Sequence, residues 1–216
     1  MTFDIELIVL SYTRFGENSL VLHTLSREYG RKGFMVRIGK KASMAGFLPL
    51  SVIEAKVTEN PKSDLWKASE VRVVYPLNGI RGNIYKNSMT MFMSEVLYRV
   101  IKDGGNEEGL YDWCLNSIMT LDSLESDFSN YHIRFLLELA TALGFRPTVQ
   151  TLAPYSRNHF APLSKMLTLP LAESMLIPLT GSQRNGMCEE VLRYIEACTE
   201  SAVNVRSLSV LDELFH

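Results

Sequence analysis

At Pro76 the hydrophobic period of this 216-residue chain changes, and no single motif constrains its fold as strongly. Before Pro76, apolar residues alternate with their neighbours. Ile5, Leu7 and Val9 alternate with Glu6, Ile8 and Leu10; Leu20 and Leu22 with Val21 and His23; Phe34, Val36 and Ile38 with Met35 and Arg37. Ile53, Ala55 and Val57 then face away from Glu54, Lys56 and Thr58, and Val71, Val73 and Tyr75 away from Glu70, Arg72 and Val74. A period of two is that of strands with one face inward. Turn residues such as Phe15-Gly16-Glu17-Asn18 and Asn60-Pro61-Lys62 separate the runs. Five short strands within residues 1 to 75 predict a small closed barrel. The first strand, apolar on both faces, is expected centrally in its sheet.

Beyond Gly82 the period becomes 3.6, that of amphipathic helices. Tyr85, Met89, Phe92, Val96 and Val100 form one stripe, widened by Met93, Leu97 and Ile101 and ended by Gly104-Gly105. A second helix is expected over about 107 to 121, and a third through Ile133, Leu136, Leu137, Ala140 and Leu143, closed by Gly144 with Pro147 beyond. Residues 146 to 185 hold Pro147, Pro154, Pro162, Pro170 and Pro178, so they are read as irregular, with at most short helical turns. Met187 to Cys198 gives a fourth long helix, and Ser207 is expected to cap a last short one. The fold class is therefore α+β and multidomain: a five-stranded N-terminal barrel over 1–78, then a mainly α-helical domain over 79–216.

Charge divides along the same line. Residues 1 to 75 hold eleven Lys/Arg against eight Asp/Glu, and the remainder eleven against sixteen. The excess concentrates in Arg27 to Lys41, where Arg27, Arg31, Lys32, Arg37, Lys40 and Lys41 face a single acid, Glu28. Such a run is either a solvated face or a site for a polyanion, and on a chain of net charge −2 the contrast favours examining the second. The N-terminus carries Asp4 and Glu6 where a signal peptide is basic, and no long uncharged apolar stretch follows, so a cytoplasmic protein without membrane spans is expected.

Catalytic patterns are missing. The chain has no G-x-x-x-x-G-K-S/T phosphate loop, G-x-G-x-x-G fingerprint or G-x-S-x-G elbow. His23, His132, His159 and His216 never fall at ligand spacing from one another or from a cysteine, and Cys114, Cys188 and Cys198 stand far apart, which suits small core residues. Glu107-Glu108 and Glu189-Glu190 are read as helix-start acids. The Met-rich Met89 to Met93 run reads as core filler, with an adaptable binding surface as the other reading. A binding protein without catalytic residues is expected, rather than an enzyme.

Taken in order, Ile8-Val9-Leu10, Phe15 to Gly30, the basic strand, Leu48-Pro49-Leu50-Ser51, Tyr75-Pro76-Leu77-Asn78, Ser94 to Val100, Gly144-Phe145-Arg146-Pro147 and the final Ser207 to Phe215 resemble the RecO family of DNA repair and recombination mediators, in its Bacteroides-type branch. The resemblance implies an OB-fold barrel and a helical C-terminal domain. It implies binding to single- and double-stranded DNA and annealing of complementary strands. With RecR as a partner, it implies help in loading RecA onto DNA coated with single-strand-binding protein, in association with the nucleoid. Recruitment in relatives runs through the acidic, phenylalanine-ended tail of the single-strand-binding protein, docked on the helical domain. Some relatives carry a four-cysteine zinc site after the Gly-Phe-x-Pro element. Here Thr148, Val149, Gln150 and Thr151 follow Pro147 and no cysteine precedes Cys188, so no metal and no cofactor is expected.

An OB barrel holds a strand by pairing a cationic groove with aromatic platforms for the bases. Arg14, Arg27, Arg31, Lys32, Arg37, Lys40 and Lys41 are the candidate groove cations, and Tyr12, Phe15 and Tyr29 the candidate platforms. Phosphate contacts of this kind carry little sequence preference. For a docked acidic tail the candidate cations are Arg99, Lys102, Arg134, Arg193 and Arg206. An OB-fold protein-docking module with incidental DNA contact is the alternative function, and a nuclease or annealing enzyme with a metal site the weaker third.

Overall fold

The computed structural model describes residues 1–39 and 44–215. Strands β1 (Thr2–Arg14), β2 (Ser19–Ser26), β3 (Gly30–Arg37), β4 (Val52–Thr58) and β5 (Trp66–Val73) close into a barrel in the order β1-β2-β3-β5-β4. A short 3-10 turn, Met44–Phe47, precedes β4. The length of β1 explains its two apolar faces: Thr2 to Ile8 pair with β4, and Ile8 to Arg14 pair with β2, with a bulge between Val9 and Ser11. Closure comes from the parallel pairing of β3 with β5, from Phe34↔Trp66 to Val36↔Ala68.

Alternating residues fill the barrel: Ile5, Leu7, Val9, Leu20, Leu22, Phe34, Val36, Ile53, Ala55 and Val57 are all buried, as expected. Burying each large apolar side chain contributes about 1.5–3 kcal/mol. Strand β5 departs from its expected alternation. Glu54 pairs with Arg72 and Lys56 with Ser69, so β5 carries one extra residue there, and Glu70 takes φ +52. This bulge breaks the period, leaving Val73 46% exposed and Tyr75 beyond the strand.

The chain forms two compact units, and they interleave along the sequence where a single boundary after residue 78 was expected. Unit 1 is Met1–Leu77 with Ile101–Asn116; unit 2 is Asn78–Val100 with Ser117–His216. In unit 1 the returning segment pairs with β3 through main chain: Gly104 N–H donates to Arg31 O at 2.9 Å and Arg31 N–H to Gly105 O at 3.1 Å. Gly30, at φ +57, is where this approach demands glycine, since a Cβ there would lie 1.8 Å from Gly105 O. Hydrophobic periodicity carries no trace of such pairing.

Unit 2 contains α1 (Asn78–Arg81), α2 (Ile84–Val100), the second half of α3 (Leu110–Ser123), α4 (Tyr131–Ala142), α5 (Val149–Leu152), α6 (Phe160–Thr168), α7 (Leu171–Met175), α8 (Gly181–Thr199) and α9 (Ser207–Leu214). Met89, Phe92, Met93 and Val96 of α2, Ile133 and Leu136 of α4 and Val191 and Ile195 of α8 are buried, so most of the Met-rich run is core, although Met91 is 48% exposed.

Three expectations need correction. The proline-rich segment is largely helical, because its prolines stand at helix starts or between helices. Pro162 lies in the first turn of α6, Pro170 is the N-cap of α7, and Pro147 and Pro178 precede the capping residues Thr148 and Thr180. Ser207 does not cap α9 with its side chain. Instead Glu95 of α2 accepts from Arg206 N–H at 3.1 Å, Ser207 N–H at 2.9 Å and Ser207 Oγ at 2.6 Å. Glu190 stands inside α8 and serves another segment, accepting from Ser156 Oγ at 2.7 Å, Arg157 N–H at 3.1 Å, Asn158 N–H at 3.0 Å and His159 Nδ1 at 3.2 Å.

Candidate nucleic-acid interface

The cations of the basic run are dispersed within unit 1. Arg27 donates through Nη2 to Asp112 Oδ1 at 2.6 Å and stands over the Tyr111 ring at 4.6 Å. The Asp112 bond holds the Arg27 guanidinium above its ordinary pKa and the Asp112 carboxyl below its own. Arg31 is 12% exposed: its Nη1 donates to Ile101 O at 2.6 Å and its Nε lies 3.0 Å from Asp103. These two expected groove cations are committed to the returning segment, because acids and carbonyls of residues 101–112 meet them there. The hydroxyl of Tyr111 donates to Glu6 Oε1 at 2.7 Å, and burial together with that carboxylate raises its pKa.

Lys32 shares the inward parity of Phe34 and lies at one end of the barrel, its Nζ 4.1 Å from the centroid of the Trp66 ring. Trp66 in turn meets Tyr29 at 5.0 Å and Phe3 at 6.3 Å. Tyr29 is therefore part of an aromatic plug rather than a free platform. Sequence reasoning misses Trp66, because only the pairing of β5 with β3 sets it opposite Phe34. Beside it opens a cleft of about 730 Å³, whose walls include Tyr29, Lys32 and the acids Glu28, Asp64 and Asp103. His23 also lines it, and burial and the Arg31 charge hold its pKa low.

A second group gathers where the β1–β2 hairpin meets the end of β3. Phe15 N–H donates to Ser19 O and Ile38 N–H to Asn18 O, each at 2.9 Å, and Ser19 pairs with Arg37. Tyr12 is 41% and Phe15 61% exposed, and Arg14 and Arg37 are exposed at the same end of the barrel, Arg14 opposite Leu20 and Arg37 opposite Ser19, on the two faces of the sheet. Among the described residues, neither arginine has a carboxylate at ion-pair distance. The chain leaves this end toward Lys40 and Lys41, which lie outside the described residues. The outer face of β4 and β5 is different: Lys56 pairs with Glu70 at 2.7 Å and Arg72 Nε with Glu54 at 2.6 Å, so its charges are neutralised locally.

Of the cations expected to receive an acidic tail, Lys102 belongs to unit 1 and is exposed. Arg134 is 19% exposed, bonded to Glu138 at 2.6 Å and to the carbonyls of Met166 and Leu169, so it ties α4 to α6 and is not a solvated cation. Arg99 lies 4.0 Å from Glu95, Arg193 reaches Tyr155 O at 3.5 Å, and Arg206 is the exposed N-cap of α9. Arg184, which sequence reasoning missed, stands over an aromatic ring in unit 2, 5.8 Å from the Phe215 centroid, beside a small space.

Among the described residues no three His, Cys, Asp or Glu side chains are placed to hold a metal ion, and no helix is long and apolar enough to cross a membrane. Residues 1–77 match the family described as Recombination protein O N terminal, and residues 81–153 the one described as Recombination protein O C terminal. Proteins named DNA repair protein RecO are similar to the chain. That of Flavobacterium johnsoniae is 32% identical over 161 residues, covering 72% of this chain and 68% of the relative. That of Phocaeicola vulgatus is 31% identical over 147 residues, covering 66% of this chain and 61% of the relative. That of Azobacteroides pseudotrichonymphae is 23% identical over the whole of both. With both halves matched in order on a barrel and a helical unit, the chain belongs to the RecO family of recombinational DNA repair proteins.

Proposed function

We propose that the chain binds single- and double-stranded DNA at the hairpin end of its barrel, anneals complementary strands, and with RecR helps load RecA onto DNA coated with single-strand-binding protein. It does so without a catalytic site. The observation that carries this reading is the exposure of Phe15 and Tyr12 at the barrel end that also exposes two arginines that no described acid neutralises. Aromatic faces stack on bases while guanidinium groups hold phosphates, a combination that tolerates any sequence. Two strands that repel each other need only backbone neutralisation to be brought together, and their base edges stay free to pair.

The cleft beside Lys32 favours a second reading for that face. Glu28 and Asp64 stand in its wall with Lys32, and Asp103 is paired with Arg31, so its mixed charge suits a protein partner better than DNA. Titrating labelled oligonucleotides over a salt series tests the DNA reading with wild type and an Arg14→Glu/Arg37→Glu variant. Steep salt dependence and weak binding by the variant are expected. Equal affinity of the two proteins at physiological salt would leave only the docking module. Recruitment by the acidic, phenylalanine-ended tail of the single-strand-binding protein is assigned to the helical unit.

A further inference from the structure

Phe215 is seated on three side chains of unit 2. Its ring stacks on His132 at 5.9 Å and 25°, meets Tyr85 at 5.3 Å, and lies 5.8 Å from the Arg184 guanidinium. Asp212 and Glu213 precede it, so an aromatic ring just after two acids makes the contact. Beside the ring is a small space that His132, Gly181, Arg184, Asn185 and Asp212 help to line. Two polar atoms there, His132 Nδ1 and Asn185 Oδ1, are buried with no hydrogen-bond partner among the described residues. His132 is 2% exposed, and an unpaired buried polar atom is costly. His132 and Asn185 both line the one space, which fits it for a polar group.

Arg184 makes an anion the fitting group, and Asp212 already brings a carboxylate to that wall. Imidazole by choice of tautomer, and the Asn185 amide by rotation, can each turn a donor inward, while Arg184 supplies a permanent charge. Gly181 opens the first turn of the 19-residue α8, where the helix dipole adds positive potential. Leu208 and Leu211 supply apolar wall. Phe215 lies beyond α9, and α9 is held separately by Glu95. Moving Asp212 to Phe215 out gives up the ring's stacking, the Phe215 N–H to Leu211 O bond at 3.1 Å and the last turn of α9, and leaves the Glu95 cap intact.

We propose that this site takes an acidic peptide segment carrying an aromatic residue, and that Asp212 to Phe215 act as an internal ligand which such a partner displaces. The proposal rests on the reading that an acidic tail docks on the helical unit, and adds the place and the internal rival. A site closed by its own segment binds with an affinity reduced by the fraction of time it is open.

The test titrates a fluorescein-labelled peptide of sequence Asp-Asp-Glu-Leu-Phe into the full chain, with melting curves to confirm folding. Phe215→Ala should bind the peptide roughly tenfold tighter than wild type, since the open fraction rises. Phe215→Ala/Arg184→Gln should lose that gain. Arg184 also donates to Asn130 Oδ1 at 2.9 Å, so Phe215→Ala/Asn185→Ala is the second variant if the first fails to fold. Equal affinity of wild type and Phe215→Ala overturns the internal ligand while tail docking stands. A gain that survives both second substitutions overturns the site, and no binding by wild type or Phe215→Ala overturns site and tail docking together.

Discussion

The carboxylate of Glu95 caps a helix to which it does not belong, accepting the Ser207 N–H at 2.9 Å and the Ser207 hydroxyl at 2.6 Å. Burial pushes this carboxyl up, but the Ser207 and Arg206 hydrogen bonds and the Arg99 charge outweigh it, and the net pKa is below the usual value. Glu95→Ala should cost about 1–2 kcal/mol, as loss of a helix cap does, read as a shift in urea midpoint. A carboxylate with a depressed folded pKa stabilises above its unfolded pKa, and that contribution is lost as pH falls through the folded value. The variant should therefore lose less stability than wild type between neutral pH and acid; parallel acid limbs would remove the cap from the account.

Glu190 anchors residues 156–159 in the same manner, and its side chain is 3% exposed. Glu190→Ala strands two backbone N–H groups and a buried hydroxyl, at about 1–3 kcal/mol for each group left unsatisfied. Deprotection of the Arg157 and Asn158 amides in hydrogen exchange should accompany the loss. Gly186→Ala should loosen the same place from the other side, since a Cβ there would lie 2.3 Å from His159 Cε1.

The purified protein should contain no stoichiometric zinc, and chelator should leave its melting temperature unchanged, because structural zinc contributes directly to folding where it exists. Elemental analysis decides it: about one zinc per chain would show that residues 148–198 gather ligands in a way their spacing does not suggest.

At the hairpin, Phe15→Ala should weaken single-strand binding by about 1–3 kcal/mol, the worth of one stacked base, and duplex binding far less. Arg37→Ala should lower affinity for both forms and flatten the salt slope by about one unit. Anisotropy titrations on the two substrates separate these effects, and an equal loss on both from Phe15→Ala would exclude stacking.

Thiol labelling should reach Cys198 alone in the folded chain. Cys114 and Cys188 are fully buried; burial pushes the Cys114 thiol up to about 12 and raises Cys188 as well. Nucleophilic attack needs the thiolate, so both should react only after denaturant is added. Fast labelling of either in buffer would mean that its helix opens locally.

The barrel was legible because residues such as Leu20, Leu22, Ile53, Ala55 and Val57 keep strict alternation, and a buried face enforces that period. The helical stripe from Met89 to Val100 was legible for the same reason at its own period. What stayed hidden depends on partners distant in sequence. Arg31 reads as a groove cation until Ile101 and Asp103 are found beside it, and Glu190 as a helix-start acid until residues 156–159 fold over it. Prolines mark where helices cannot continue, but Pro162 and Pro170 show that the same residue can begin one. Within the candidate site, residue types point to Tyr12, Arg14, Phe15 and Arg37; that they share one end of the barrel while Arg27 and Lys32 lie elsewhere comes from strand register.

The main-chain pairing of Arg31 with Gly104 and Gly105 sets an order of events during synthesis. Unit 1 is finished only when residue 116 has left the ribosome, and by then all of α2, which belongs to the other unit, has been made. A nascent chain halted after residue 77 has its five strands but lacks Asp112 and Asp103 for Arg27 and Arg31, two cations left without their carboxylates. Domains emerging from the ribosome generally fold as units, first one and then the next. Here the first unit must wait for a portion of the second, and an early barrel carries for that interval two guanidinium groups that the finished protein withdraws.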